Sequence, residues 1–172
     1  IVTMRLLEVN GYTKKQAEKD TTLHIPGWVY NREYRVTYRD ELIDSETLLE
    51  GEWTGEIRNS SDTVWISISK GYAENMDLKI GDELLFNVQG TPIKAYVGSF
   101  REIDWRRVQT NFLVLFPTGV LEKAPQFHVL ITRVDKNDVS ARYQQAVVRQ
   151  FPNVSIIDLE LILKTVEDLL AK

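Results

Sequence analysis

Met76–Trp105, MDLKIGDELLFNVQGTPIKAYVGSFREIDW, decides the reading of this chain. It holds the end of a helix, a Gly81-Asp82 corner, two strands and a polar tail. Gly81 can take the positive φ that turns the chain after the helix, and the Asp82 carboxylate can hydrogen-bond the turn backbone. Glu83–Val88 and Ile93–Phe100 read as a hairpin around Gln89-Gly90-Thr91-Pro92. Pro92 belongs at its margin because it cannot donate a ladder hydrogen bond.

Working outward, Val64–Ile68 is β-branched and aromatic, so it reads as a strand with Trp65 turned inward. Ser69 is placed to cap a helix over Gly71–Asn75. Phe112–Phe116 is wholly apolar, as expected of a strand buried on both faces. Glu33–Arg39 alternates, with Tyr34, Val36 and Tyr38 on one face and the charged residues with Thr37 on the other, the pattern of a half-buried antiparallel strand. Asp44 or Ser45 is expected to start a one-turn helix through Leu49. Ile1–Leu7 reads as a strand ending at the Asn10-Gly11 turn. Thr13 and Gln16 have capping-box spacing for a helix over Lys14–Lys19, which His24-Ile25-Pro26-Gly27 breaks.

After Pro125 the pattern changes. Phe127–Val134 reads as a strand, Asp135 or Asn137 as the start of a helix, Val154–Ile157 as a second strand and Asp158–Lys172 as a second helix. This β-α-β-α run is expected to share a sheet with the N-terminal strand. The fold expected is therefore α+β: a discontinuous α/β base from residues 1–32 and 122–172, with a β-rich, small barrel-like lobe of residues 33–121 inserted into it.

The 172 residues, 43% hydrophobic and 27% charged, suffice for a core without disulfides or metals. A formal charge of -4 removes the basic footprint of nucleic-acid binding. With no cysteine there is neither a disulfide scaffold nor thiolate chemistry. No apolar run approaches the length of a membrane span. The chain opens in mid-strand and closes in mid-helix, which leads to the expectation of a piece of something longer.

The chemistry-bearing residues form no motif. His24 and His128 stand alone, without a second ligand at metal spacing. A hydrolase built on Ser99 and His128 lacks the second glycine of a nucleophile elbow and any third group. Glu50 with Glu52, and Glu167 with Asp168, read as solvated pairs. No cofactor, metal or nucleotide is expected. The aromatics say more: Trp105, with Arg106, Arg107 and Asn111, and Trp53 are the candidate interaction surface, because contact surfaces are enriched in exposed aromatic and Arg groups.

Ordered along the chain, Ile66–Ala73 (ISISKGYA), Leu78–Asp82 (LKIGD), Phe86–Gly90 (FNVQG), Phe100–Trp105 (FREIDW) and Asn111–Leu121 (NFLVLFPTGVL) resemble the extracytoplasmic, MacB-type periplasmic core domain of FtsX-like ABC transporter permeases. Arg35–Glu41 (RVTYRDE) and Gly51–Trp53 (GEW) make the YbbP-type branch the nearest likeness. The resemblance covers nearly the whole chain, although Gln109-Thr110 stands where those relatives would carry a proline before Asn111. It implies a porter-like base and no catalysis. It also implies a position on the periplasmic side of the bacterial inner membrane, joined to it by flanking helices absent from this chain. A cytoplasmic ABC ATPase subunit would drive the motion, and a periplasmic esterase or lipoprotein is the implied partner. The competing expectation is a free-standing secreted module gripping an oligosaccharide or peptide through Trp53 and Trp105.

Overall fold

The computed structural model describes residues 1–107 and 109–171. Their packing divides the chain into two units, Ile1–Ile131 and Thr132–Lys172. The boundaries expected at 32/33 and 121/122 both fall inside the first.

Six strands of the first unit close into a barrel. Their ring order is β1 (Val2–Val9), β3 (Tyr34–Tyr38), β8 (Val114–Phe116), β5 (Trp65–Ser69), β7 (Thr91–Ile103), β6 (Glu83–Val88) and back to β1. β3 with β8 and β5 with β7 run parallel, and the other ring pairs are antiparallel. β3 is thus antiparallel to one neighbour only. Two short strands extend the ring: β2 (Tyr12–Thr13) on β1 and β4 (Glu46–Gly51) on β7. β1 shows how side-chain period and register combine. Strict alternation would bury Val2, Met4, Leu6 and Glu8, but a bulge against β6 between Leu6 and Glu8 shifts the phase, so Val9 is buried instead.

The turns follow their residues. Asn10 and Gly11 both have positive φ, as do Gln89 and Gly90, which fits two-residue hairpin turns of type I′. Gly81 turns at φ +93, and its N–H donates to Val97 O (2.7 Å). Asp82 takes the Lys79 N–H on its carboxylate (2.8 Å), and its carbonyl accepts from Val97 N (2.9 Å). The Gly-Asp corner therefore docks onto the middle of β7. β7 does not stop at Phe100 but runs thirteen residues, its first half paired with β6 and its last with β4. Pro92 lies opposite Asn87 at the turn end of the hairpin.

Helices α1 (Lys14–Lys19), α2 (Trp28–Asn31) and α3 (Lys70–Asn75) decorate the barrel. Gln16 Oε1 accepts from the Thr13 N–H (2.9 Å) and hydroxyl (3.0 Å), which sets the start of α1. Ser69 occupies the position before α3, but its side chain makes no capping bond. Two local expectations fail here for tertiary reasons. The segment expected to be a one-turn helix up to Leu49 is β4, because β7 offers it a ladder of backbone partners and Glu46 is drawn inward. Trp65 lies outward and half-exposed against Tyr96, with ring centres 5.7 Å apart, because Ile66 and Ile68 fill the core from that strand.

The core is aromatic at its centre. Phe86 meets Tyr34 and Phe116 edge to face at 5.9 and 5.8 Å, and Tyr34 meets Tyr72 at 5.9 Å. The Tyr34 hydroxyl donates its one proton to Val29 O (2.8 Å), so Tyr72 donates to Tyr34 at 2.7 Å. Burial pushes Tyr30 and Tyr34 each up to about 12, and Tyr72 far above the usual phenol range. These phenols hold their protons to higher pH folded than unfolded, where they titrate near 10. Their stabilisation is complete below about pH 10 and is lost as pH rises toward 12 and beyond. Burial, opposed by Glu46, pulls Arg101 down to about 10, which adds stability above that pH. Three phenols outweigh one guanidinium. Alkaline unfolding is expected to be cooperative between about pH 10 and 12, with circular dichroism lost together with the rise of tyrosinate absorbance. Full tyrosine ionisation before any loss of structure would contradict this.

The second unit contains α4 (Asn137–Gln150) and α5 (Leu159–Leu170). Asp158 Oδ1 caps α5, accepting from Glu160 N (3.1 Å) and Leu161 N (3.3 Å). Lys136, not Asp135 or Asn137, precedes α4. The strands expected at Phe127–Val134 and Val154–Ile157 do not form among the described residues. A strand needs a partner backbone, and β1, the expected one, has β3 and β2 along one edge and β6 along the other. Only Phe127 reaches it, exchanging backbone hydrogen bonds with Ile1. No residue of α4 or α5 is buried.

Candidate functional site: a Trp and Arg cleft on the barrel unit

Two adjoining clefts open on the barrel unit, of 530 and 670 Å³. Arg32, Trp105 and Leu113 line both. Trp28, Lys70 and Glu102 belong to the first, and Glu33, Arg35 and Asn111 to the second. Their positions follow from the strand ends. α2 ends at Asn31, Arg32 lies in the step between α2 and β3, and Trp105 is the second residue past the end of β7. A large side chain at such a place projects past the sheet instead of into it.

Trp105 is 61% exposed and Trp28 43%, high values for the largest apolar side chain. The Arg32 guanidinium stands 5.7 Å from the Trp28 ring centre and 5.1 Å from that of Tyr34. These rings hold it in place without neutralising it. Among the described residues no carboxylate lies within salt-bridge distance of Arg32, whereas Lys70 pairs with Glu74 at 4.0 Å.

The residues singled out from sequence separate here. Trp105 and Asn111 line the clefts, and Asn111 Oδ1 is fixed by the Ser45 hydroxyl (2.9 Å). Arg106 and Arg107 are committed to Asp104, with contacts of 2.9 and 3.8 Å. Hydrogen bonds from Arg106 hold the Asp104 carboxyl below its usual range. Trp53 lines neither cleft; its Nε1–H donates to Asp40 O (3.0 Å). The pair expected to grip an oligosaccharide or peptide, Trp53 and Trp105, is therefore not assembled around one cleft. Ser99 is fully buried and His128 is exposed. Trp28 and Arg32 were missed as a pair. The signal available was their i, i+4 spacing, which puts both on one side of a helical turn.

A buried charge cluster lies in the same unit. Arg101 is fully buried, and its Nη2 donates to Phe112 O, next to Leu113 in the cleft wall. Its Nε lies 3.8 Å from Glu46 Oε1, which also takes a 2.8 Å hydrogen bond from Arg39 Nη2. Arg101 Nε and Nη1 and the Ser67 and Ser99 hydroxyls have no hydrogen-bond partner among the described residues.

In comparison with known proteins, the chain is similar to an ABC transporter permease. That relative is the uncharacterised ABC transporter permease YbbP of Escherichia coli (strain K12), 28% identical over 136 residues. The match covers 79% of this chain but 16% of the relative, so the chain spans under a fifth of the relative's length. No family model matches the sequence. No solved structure matches it either.

Proposed function

We propose that this chain is a non-catalytic domain of an FtsX-like ABC transporter permease, of the MacB-type periplasmic core kind, standing on the extracytoplasmic side of the inner membrane. Its similarity to a permease over 79% of its length carries the reading. The structure adds consistent detail. Among the described residues no helix is long and apolar enough to cross a membrane, so the spans of such a permease would lie outside this segment. A closed barrel has no long free edge to fray and moves as one body. In this reading a cytoplasmic ATPase drives transmembrane helices, the barrel unit moves with them, and its rim cleft takes and releases a periplasmic partner or a lipid or lipoprotein cargo.

Alkaline phosphatase and green fluorescent protein, fused in turn after Lys172 of the natural gene product in E. coli, test the side of the membrane. Active phosphatase with a dark fluorescent fusion is the expected result. A bright fluorescent fusion with inactive phosphatase would put the domain in the cytoplasm and end the proposal.

A further inference from the structure

From the Trp28, Arg32 and Trp105 cleft we infer a peptide site: it takes a segment of a partner protein that presents a carboxylate beside an apolar side chain. The inference rests on the reading of this chain as a binding domain and names the partner class for the same cleft.

Three observations lead to it. First, Arg32 is a cation with no anionic partner among the described residues. Its planar fork of N–H donors is pre-oriented by Trp28 and Tyr34, the arrangement suited to two parallel hydrogen bonds from a carboxylate. Second, Trp28 and Trp105, both lining the cleft that Arg32 lines, remain exposed although each could bury a large apolar area. Such rings serve as anchors when a partner covers them. Third, the lining is charge-balanced, with Arg32, Arg35 and Lys70 against Glu33, Glu74 and Glu102. A polyanion or an anionic membrane surface selects single-sign basic patches, which this is not. A balanced, half-polar cleft with aromatic anchors and a guanidinium set against two rings has the composition of a protein contact. The neighbouring Arg106 and Arg107 do not compete for the carboxylate, since Asp104 occupies both.

The test pans a random heptapeptide display library on the 172-residue chain. Enriched peptides are expected to carry Asp or Glu within two residues of Leu, Phe or Trp. A fluorescein-labelled consensus peptide, followed by anisotropy, is expected to bind Arg32→Gln about tenfold more weakly and Arg106→Gln unchanged. The peptide's own carboxamide twin should lose the same factor on the wild type and nothing more on Arg32→Gln, which ties the loss to one contact. Arg32→Lys, which keeps the charge but not the fork, should fall between. Thermal melts of each variant verify the fold, with Trp28→Phe standing in if Trp28→Ala does not fold. No enrichment, enrichment without acids, or equal binding to Arg32→Gln would overturn the inference. If binding then survives in Arg32→Gln but is lost in Trp28→Ala or Trp105→Ala, the carboxylate-presenting partner is ruled out while the reading of this chain as a binding domain stands. If it survives in all three, the cleft itself is no site.

Discussion

Glu46→Ala is expected to lower the unfolding free energy by about 3–5 kcal/mol, the largest loss from any charged position in the chain. The Glu46 side chain has no solvent exposure and neutralises two guanidinium groups. Arg39 approaches it in a forked geometry, with contacts of 2.8 and 3.3 Å, and the Ile43 N–H adds a longer bond at 3.4 Å. Without it, Arg101 is a fully buried cation held only by the Phe112 carbonyl. Arg39 can still turn to water, being 19% exposed, so Arg101 carries the loss. Arg101→Met should cost less than Glu46→Ala. It removes a charge whose Nε and Nη1 are already unpartnered and leaves the Arg39 and Glu46 pair intact. Asp104→Ala, which breaks an exposed cluster, should change stability far less than Glu46→Ala. Urea unfolding of the three variants checks the order. Equal losses for Glu46→Ala and Asp104→Ala would show that burial does not govern the cluster.

Gly51→Ala is expected to cost about 3 kcal/mol or more, for two additive reasons. The residue sits at φ +79, where a Cβ is strained, and that Cβ would lie 2.1 Å from Gly98 O and 2.9 Å from Ser99 Cα. These are backbone atoms of β7, paired with β4 at Gly51 and Ser99, and they cannot move without opening the ladder. Gly71 supplies the control. It lies inside α3 at negative φ with open space around it, so Gly71→Ala should be neutral or stabilise by up to about 1 kcal/mol. Thermal melts of both variants decide. A Gly51→Ala melt matching the wild type would mean that β4 does not pair with β7 as described.

β4 and its Glu46 tie the last third of β7 to the 39–46 segment, just before the chain reaches Trp105. Loosening either should therefore disturb the cleft rim as well as global stability.

What the sequence determined by itself is everything that depends on a few neighbouring residues. Alternation over 34–38, the apolar run at 114–116, the capping box at Thr13 and Gln16, the cap at Asp158, and the turns at Asn10-Gly11, Gln89-Gly90 and Gly81-Asp82 all follow from side-chain period or backbone freedom. Trp105 and Asn111, singled out from the sequence, lie in the lining of the second cleft. Tertiary structure alone decided the rest. Residues 46–51 carry no strong local preference and became a strand because β7 extended beside them. Residues 127–134 and 154–157 carry strand residues but acquired no partner, since both edges of β1 were taken in closing the barrel. Arg101 reads as part of a polar tail, yet it lies in the interior because the strand continues through it and Glu46 meets it there. Trp28, Arg32 and Tyr34 are close in sequence, but they line a cleft only because the fold brings the distant Trp105 beside them. Local residues choose the period and the turn, and pairing and burial choose among the strands those choices permit.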